Sequence, residues 1–356
     1  MTLQTSSTSD DAAVVIYRLG SLGDTIVALP CFRAVARAFP GAQKIVLTNF
    51  PVASVAAPLA AILGEGELAS SYIAYAAASR SVSELLALRA KLRATGATTL
   101  VYLASSRGLP AAWRDLLFFK FCGFKRVIGV PLTRDLQDNR VDADGVVEPE
   151  CERLARTLQG FATIDLNDAA NWDLALTPAE CATGALWRDK FGGAPYIAIH
   201  TGGKAIEKDW GEANWRALLR DLAATHGGHG LLLLGAGEDA PRYAALAPEW
   251  PGAVVDACGA LSPRECAATL RHARLFIGHD SGPLHLASAS GVPCVGLFGD
   301  YNLPRKWHPY IGAHRIIHRL SGISSIKIEE VATAVRDLFA QTMERAAPTR
   351  DTATPQ

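Results

Sequence analysis

The segment from Leu275 to Asp300, LFIGHDSGPLHLASASGVPCVGLFGD, constrains the fold more than any other part of the sequence. It begins with an apolar run that ends at Gly278, and a polar turn then leads into small residues with helical spacing from Leu284 to Ser290. A Gly-Val-Pro sequence ends this helix, and the apolar run from Cys294 to Phe298 predicts a second buried strand. Strand, turn, helix and strand within about thirty residues are typical of one βαβ unit, so the sequence predicts a parallel sheet.

The polar turn of this unit is predicted to bind an anion. In open α/β sheets, ligands bind at the carboxyl edge, where this turn lies. Ser281 and Gly282 precede a helix whose Pro283 suits the first position, and the free N–H groups there favour a phosphate. We expect Asp280 and His285 to flank the anion, with His285 a hydrogen-bonded helix residue. Two such side chains do not complete a metal ligand set, so we predict no metal here.

The rest of the chain alternates strands and helices in two halves. We predict a buried strand at 12–19 followed by one helix up to Phe39, and the alternation restarts with a strand at 195–200. Residues 160–178 have no clear period and hold the predicted domain junction, and 299–325 is expected to be a long loop region. The predicted organisation is a disordered lead at 1–11, an N-terminal domain at 12–170, a C-terminal domain at 171–325, a helix at 326–345 and a disordered tail at 346–356.

Composition excludes several functional classes. Lys plus Arg and Asp plus Glu are 35 each, so there is no global positive field for nucleic acid. The seven scattered cysteines include no CxxC pair and are expected to be reduced. The polar start does not resemble a signal peptide, and no apolar run approaches the length of a membrane span. We therefore expect a soluble protein of the cytoplasm.

The turn Gly20-Ser21-Leu22-Gly23-Asp24-Thr25 after the first strand carries a carboxylate at a helix start. The helix dipole favours an ionised Asp24, which could take a proton from an attacking hydroxyl. Asp24 could instead cap its own helix, as many aspartates do. Taken alone, the turn favours the capping interpretation.

Two loops in the second half could bind phosphate or ribose. Lys204 and Lys208 lie in the loop TGGKAIEKDW at 201–210, where a lysine can neutralise phosphate or simply be solvated. In GAGED at 235–239, Glu238 or Asp239 could accept hydrogen bonds from a ribose. The GAGED loop matches neither the GxGxxG nor the GxxxxGK[ST] motif, so it is weak evidence alone. Trp307, further on, could wall a pocket or be part of a packed loop.

Together these segments resemble glycosyltransferase family 9, the ADP-heptose:lipopolysaccharide heptosyltransferases and their relatives. The matching blocks are RLGSLGDTIVALPCFRAVARAFPGA at 18–42, IHTGGKAIEKDW at 199–210 and FIGHDSGPLHLASASGVPCVGLFG at 276–299. The resemblance implies an α/β protein of GT-B architecture, with two Rossmann-like, doubly wound parallel-sheet domains that face a cleft. It also implies inversion at the anomeric carbon, no metal and no other cofactor. Asp142-Ala143-Asp144 has the Asp-x-Asp form that some glycosyltransferases use for metal, but we interpret it as a surface loop.

The resemblance also assigns roles to residues. Asp24 is expected to be the general base, and Lys208 the catalytic lysine that holds the donor phosphates. Glu238 is expected to contact the ribose, although Asp239 stays open. The predicted donor-binding residues are Gly23, Thr201, Gly202, Lys204, Glu238, Asp280, Ser281, Gly282 and His285.

The implied function is transfer of a sugar, a heptose from ADP-heptose, to a hydroxyl of a glycan or lipopolysaccharide-type acceptor. After Gly299 the family usually continues Pro-Thr-Asp-Pro, whereas this chain has Asp-Tyr-Asn-Leu-Pro at 300–304, which leaves the sugar and base open. A nucleotide-sugar epimerase and a non-catalytic nucleotide-sugar-binding protein remain alternatives. A lipid-linked acceptor would bring the enzyme to the inner face of the cytoplasmic membrane. Basic residues that could meet anionic lipid or a phosphorylated sugar, or be ordinary surface charge, are Arg107, Arg114, Lys120, Lys125 and Arg126.

Overall fold

The computed structural model describes residues 11–49, 57–76, 81–202 and 206–346, which form two parallel β-sheets with helices on both faces. The first sheet comprises β1 (Ala13–Tyr17), β2 (Gln43–Asn49), β3 (Ser71–Tyr75), β4 (Thr99–Tyr102) and β5 (Arg126–Ile128). The second comprises β6 (Tyr196–His200), β7 (Gly230–Leu233), β8 (Val254–Asp256), β9 (Leu275–His279), β10 (Cys294–Phe298) and β11 (His314–His318). The helices are α1 (Leu22–Val27), α2 (Leu29–Ala38), α3 (Leu59–Leu63), α4 (Val82–Ala94), α5 (Leu109–Cys122), α6 (Arg134–Gln137), α7 (Glu150–Thr157), α8 (Pro178–Asp189), α9 (Glu212–His226), α10 (Ala240–Leu246), α11 (Pro263–Leu270), α12 (Gly282–Ala289) and α13 (Ile328–Ala346).

The strand order places the point where the connections reverse direction near the middle of each sheet. The first sheet runs β3-β2-β1-β4-β5 and the second β11-β10-β9-β6-β7-β8. Both follow the Rossmann order, in which the connections reverse direction between the first and fourth strands of the unit. The switch points therefore lie between β1 and β4 and between β6 and β9, where ligands bind in such sheets. This is the predicted GT-B arrangement.

The two faces of each sheet are buried by different helices. Leu88 of α4 and Phe119 of α5 pack in the core on one face of the first sheet. Phe32 of α2 and Leu154 of α7 belong to the core on the other face, which continues into the second half of the chain. A separate core beneath the second sheet contains Trp215 of α9 and, at its far end, residues of α13. The last helix thus packs on the second sheet.

Several sequence-based element boundaries are wrong, each for a local reason. The predicted single helix up to Phe39 breaks at Ala28 into α1 and α2, because Pro30 lacks the N–H that would continue the first helix. Pro178 starts α8, in a capping box formed by Thr177 and Glu180. The expected loop region at 299–325 contains the edge strand β11. The strand predicted to end at Gly278 continues for one more residue, to His279.

The predicted disordered segments lie almost wholly outside the described residues. Residues 1–10 and 347–356 are not described. Asp11, which is described, accepts hydrogen bonds from the hydroxyls of Thr98 and Thr99 at 2.7 and 2.6 Å. Asp11 belongs to the predicted disordered lead, and these hydrogen bonds show that this prediction is wrong for Asp11.

Candidate active site

The turns that follow β1 and β9 meet face to face, so the first turn of α1 packs against the first turn of α12. A Cβ atom built on Gly23 would lie 3.1 Å from Cδ2 of His285. One built on Gly282 would lie 2.8 Å from Cβ of Leu22, closer than real Cβ contacts allow. The two glycines therefore let the helix starts of the two sheets approach each other. This contact brings the predicted general base next to the predicted donor loop.

Asp24 is half-buried and caps its own helix. Its Oδ2 accepts hydrogen bonds from the backbone N–H of Ser21 at 2.8 Å and from the Ser21 hydroxyl at 2.7 Å. Within the described part of the chain, no hydrogen bond reaches Oδ1. The capping interpretation is thus geometrically correct, and it fixes the carboxylate while one oxygen stays available to an acceptor hydroxyl. Capping and proton transfer do not exclude each other.

Arg18, which is not among the predicted site residues, holds this turn in place through hydrogen bonds. Its fully buried guanidinium donates hydrogen bonds to the backbone carbonyls of Leu103 and Asp24. Burial lowers the pKa of Arg18, and the nearby Asp24 carboxylate opposes that effect. Arg18 therefore ties the end of β4 to the Asp24 turn. The signal that could have found it is a charged residue at the end of a buried apolar strand.

Lys208 lies on the opposite side of the contact and is held by the donor loop. Its Nζ forms an ion pair with Oδ2 of Asp280 at 2.8 Å and donates to the Asp280 carbonyl at 3.2 Å. The same Nζ lies 4.3 Å from the ring centroid of Tyr301, a cation–π contact, and the amide of Asn302 donates to Asp280 Oδ2. Both Tyr301 and Asn302 belong to the segment in which this chain departs from the family pattern. That segment therefore positions the lysine.

The histidines at this edge are buried. Burial lowers the pKa of His200 to about 4 and that of His279 to about 3, so both are neutral at pH 7. The Nε2 of His279 accepts hydrogen bonds from the backbone of Trp210 at 3.3 Å and from the Trp215 indole at 3.2 Å. Neutral rings can accept these bonds and hold the ends of β6 and β9 in place.

His285 lies where the two halves of the site meet. Burial lowers its pKa, the carboxylates of Asp280 and Asp24 raise it, and Lys208 lowers it. Among the described residues no hydrogen bond to this imidazole is found, so the expectation that His285 is hydrogen-bonded near a ligand stays a prediction. Ser281, in the same turn, contacts Nδ1 of His200 through its hydroxyl at 3.3 Å. The charges of both predicted catalytic residues, Asp24 and Lys208, therefore act on the pKa of His285.

The loops after β6 and β7 carry the remaining predicted donor-binding residues. The backbone N–H of Thr201 donates to the Tyr243 hydroxyl at 2.8 Å. A Cβ built on Gly202 would lie 2.6 Å from Oδ1 of Asp239, whose Oδ2 accepts the N–H of Ala236 at 2.8 Å. Asp239 is therefore fixed in the protein, whereas the adjacent Glu238 is exposed. The predicted donor residue Lys204 lies outside the described residues.

A cavity of about 350 Å³ opens beside the end of β4 and is lined by residues of both halves of the chain. Trp307 lines this cavity and also packs against the main core, so the structure is consistent with both interpretations of that residue. The polar side chains around it suit the hydroxyl groups of a sugar. The lining residues are Ser105, Ser106, Gln137, Asp138, Asn139, Val141, Val147, Glu150, Leu303, Lys306 and Trp307.

No group of three or more His, Cys, Asp or Glu side chains close enough to hold a metal ion is found among the described residues. Oδ1 of Asp142 accepts the N–H groups of Asp144 and Val146 at 3.0 and 2.8 Å, so the Asp-x-Asp segment forms a turn.

None of the helices in the described ranges is long and apolar enough to cross a membrane.

The chain is similar to known glycosyltransferases in sequence and in fold. The model of the family described as glycosyltransferase family 9 (heptosyltransferase) matches residues 133–330. Lipopolysaccharide heptosyltransferase 3 of Escherichia coli is 32% identical over 121 residues, which cover 32% of this chain and 35% of that protein. The chain therefore matches about a third of the length of this curated relative.

Solved structures extend the similarity in fold over nearly the whole chain. A glycosyltransferase family 9 protein of Veillonella parvula superposes with a TM-score of 0.71 at 18% identity, covering 94% of this chain and 99% of that one. The ADP-heptose lipopolysaccharide heptosyltransferase II of Escherichia coli gives 0.67 at 17% identity, covering 93% and 99%. At these identities the likeness concerns the fold alone.

Proposed function

The chain belongs to glycosyltransferase family 9, and we propose that it is an inverting, metal-independent glycosyltransferase that moves a sugar from a nucleoside diphosphate to an acceptor hydroxyl. One observation carries the proposal: the contact between Gly23 and His285 brings Asp24 of one sheet beside Lys208 and Asp280 of the other. In this proposal Asp24 is the base for the acceptor and Lys208 the cation for the leaving group, on opposite sides of the contact between the two turns. That is the arrangement an in-line displacement requires.

The reaction would proceed in one displacement. The acceptor oxygen attacks the anomeric carbon and forms the new C–O bond, while Asp24 takes its proton through Oδ1. The bond between the anomeric carbon and the phosphate oxygen breaks, and its electron pair leaves with the nucleoside diphosphate. Since attack and departure occur on opposite faces, the anomeric configuration inverts. A positioned base contributes about 10²–10⁴-fold to such a step.

The leaving diphosphate would be stabilised without a metal. Lys208 supplies a positive charge, and the N–H groups of Ser281 and Gly282 at the start of α12 supply hydrogen bonds. Asp280, itself an anion, would not contact the phosphate but holds Lys208 in place through their 2.8 Å ion pair. Preorganised donors of this kind are typically worth a few kcal/mol each. Glu238, exposed beside the loop, would accept hydrogen bonds from the ribose.

The names of the relatives and the lining of the cavity support a proposal for the substrates. The names of the similar proteins specify ADP-heptose and lipopolysaccharide, so we infer a heptose from ADP-heptose as donor and a lipopolysaccharide-type glycan as acceptor. The cavity between Ser105 and Trp307 offers an aromatic wall and hydrogen-bonding groups for an acceptor sugar. Its position beside the strand end that Arg18 ties to Asp24 supports this assignment.

Thermal unfolding in the presence of ADP, UDP, GDP and CMP tests the donor site. A nucleotide at a hundred times its Kd adds about 2.7 kcal/mol to the free energy of unfolding. We expect a stabilising shift with ADP that is lost in Lys208→Ala and kept in the control Lys327→Ala, an exposed lysine far along the chain. A shift with UDP or GDP instead would overturn the ADP assignment. No shift with any nucleotide would contradict the donor site itself.

A product assay separates transfer from epimerisation. Incubation with the sugar donor alone should leave it intact, whereas addition of acceptor should release the nucleoside diphosphate. Conversion of the donor sugar without acceptor would identify an epimerase. Binding without either reaction would identify a non-catalytic binding protein.

A further inference from the structure

One exposed face of α5 is apolar along two turns. Trp113, Leu117 and Phe121 follow one another at a spacing of four residues, so they lie on the same side of the helix. Their exposed fractions are 51%, 65% and 57%. The opposite side of the helix is buried against the first sheet through residues such as Phe119. The helix is therefore apolar on both sides, although only one of them meets the core.

The adjacent helix extends this surface. Val82 and Leu86 of α4 are 71% and 48% exposed, and Leu85 is exposed as well. Arg89 joins the two helices: its Nε donates to the carbonyl of Phe121 at 3.0 Å, and its guanidinium lies 4.4 Å from the centroid of that ring. We call Val82, Leu85, Leu86, Trp113, Leu117 and Phe121 the α4–α5 face. Water-soluble domains rarely leave so many large apolar side chains together without a partner.

The same region is strongly basic. Between residues 81 and 126 there are eight basic and two acidic residues, although the whole chain carries 35 of each. One of the two acidic residues, Asp115, is buried and paired with Arg107 and Arg114. The basic residues are Arg89, Lys91, Arg93, Arg107, Arg114, Lys120, Lys125 and Arg126. The α4–α5 face therefore combines exposed apolar side chains with a local excess of positive charge.

We propose that the α4–α5 face docks on an anionic lipid bilayer. Exposed Trp, Leu and Phe surrounded by Lys and Arg are the side chains that insert at a membrane interface while cations meet the lipid phosphates. A second copy of the chain is a poorer partner, because self-association through this face would bring two basic regions together. An anionic bilayer neutralises that charge.

Docking through the α4–α5 face would bring the cavity close to the bilayer. This step rests on the proposed function. Ser105 and Ser106 line the cavity, and α5 begins three residues later at Leu109. Both α4 and α5 start at the carboxyl edge of the first sheet, where the cavity opens. An acceptor anchored in the bilayer would thus reach the cavity without leaving the membrane. The inferred acceptor class is a lipid-linked glycan.

Flotation with vesicles tests docking without donor or acceptor. We expect the full chain to float with vesicles of phosphatidylglycerol and phosphatidylethanolamine and to stay behind with phosphatidylcholine. Leu117→Glu combined with Trp113→Ser should weaken binding more than 10-fold, since a charge on the docking helix must be kept out of the apolar layer. The control Leu186→Glu, an equally exposed leucine at 67% on α8, should bind as the wild type.

A charge variant and salt separate the two contributions. Replacing Lys120 and Lys125 by Gln should weaken binding to anionic vesicles about 30-fold, from about 1 kcal/mol per basic residue near the surface. Raising the salt from 0.1 to 0.5 M should also weaken binding to anionic vesicles, because salt shortens the range over which surface charges attract.

Three outcomes would overturn docking. They are an absence of flotation with anionic vesicles, equal flotation of the Trp113/Leu117 variant, and a concentration-dependent dimer that this variant abolishes. The stabilisation by ADP reports separately on the donor site, so loss of flotation with an intact ADP shift contradicts docking alone. An intact flotation without any nucleotide shift contradicts the proposed function alone.

Discussion

Two turns of this protein share one local design but differ in what lies opposite them. Gly20 to Asp24 follows β1, and Gly235 to Asp239 follows β7. In both, the aspartate folds back so that Oδ2 accepts a backbone N–H three residues earlier, at 2.8 Å in each case. In both, a Cβ on the leading glycine would lie 2.5 Å from an atom of that aspartate. Glycine is therefore needed at the same place for the same reason.

The two turns differ in the part of the molecule that each one packs against. The Asp24 turn packs through Gly23 against His285 of the other half of the molecule. The Asp239 carboxylate packs against Gly202, a neighbour in its own sheet, and fills that space. A capping aspartate thus becomes a candidate base only where a second site faces it. The lesson is that capping holds the carboxylate still, and the opposing surface decides whether this has a catalytic use.

Substituting each aspartate by asparagine should separate the two turns most strongly. Asparagine keeps an oxygen for the capping N–H but cannot take a proton at neutral pH. We expect Asp24→Asn to lower the transfer rate about 10²–10⁴-fold. Asp239→Asn, the matched control, should stay within a few-fold of the wild type and cost about 0.3–1 kcal/mol of stability through the helix dipole. Initial rates of nucleoside diphosphate release measure the first effect, and thermal unfolding the second.

Near-normal turnover of Asp24→Asn would remove Asp24 as the base and leave it a cap like Asp239. A comparable loss in both variants would indicate that turn geometry, rather than proton transfer, limits the rate. ADP binding of Asp24→Asn should be unchanged, since the variant alters the acceptor side only.

The contact opposite the Asp24 turn can be broken directly. A methyl group on Gly282 would meet Leu22 at 2.8 Å, so Gly282→Ala must push the two helix starts apart. Overpacking of this kind costs about 1–3 kcal/mol of stability. A displacement near 1 Å at a reacting centre costs about 10²-fold in rate. We expect both effects, measured by urea unfolding and by the transfer rate.

The control for this contact lies in the other turn. A Cβ on Gly237 meets nothing within 4 Å, so Gly237→Ala should change stability by less than about 1 kcal/mol and leave the transfer rate intact. Wild-type activity of Gly282→Ala would show that catalysis does not need the close approach of the two turns.

The sequence predicted the parts of this comparison that depend on neighbouring residues. The alternation of apolar runs and helical spacing was enough for two parallel sheets, and the strand from Cys294 to Phe298 has the predicted bounds. The capping box at Ser262 and Glu265 also forms as its spacing predicts. Thr177 and Glu180 carry the same signal for α8, but Thr177 lies at the end of the segment 160–178, which has no clear period.

Other parts depend on residues far along the chain, which no local pattern reveals. Among the described strands β11 lies at the edge of its sheet, and its sequence has only two consecutive isoleucines between polar ends, a weak strand signal. Arg18 contacts a carbonyl 85 residues away, and Asn302 reaches Asp280 across 22 residues. The sequence could also not distinguish Asp24 from Asp239, since the surface opposite each turn comes from elsewhere.

The smallest expected effect concerns Glu238, the exposed neighbour of Asp239. If Glu238 accepts hydrogen bonds from the ribose, Glu238→Gln weakens a charged hydrogen bond, worth about 1.5 kcal/mol or roughly 10-fold in nucleotide affinity. The transfer rate at saturating donor should not change, because this contact is equal in the ground and transition states. Asp239→Asn should leave the affinity for ADP within about 2-fold, as its carboxylate is already used by Ala236. Titration calorimetry with ADP distinguishes the two, and a loss of affinity in Asp239→Asn alone would assign the ribose contact to the capping aspartate instead.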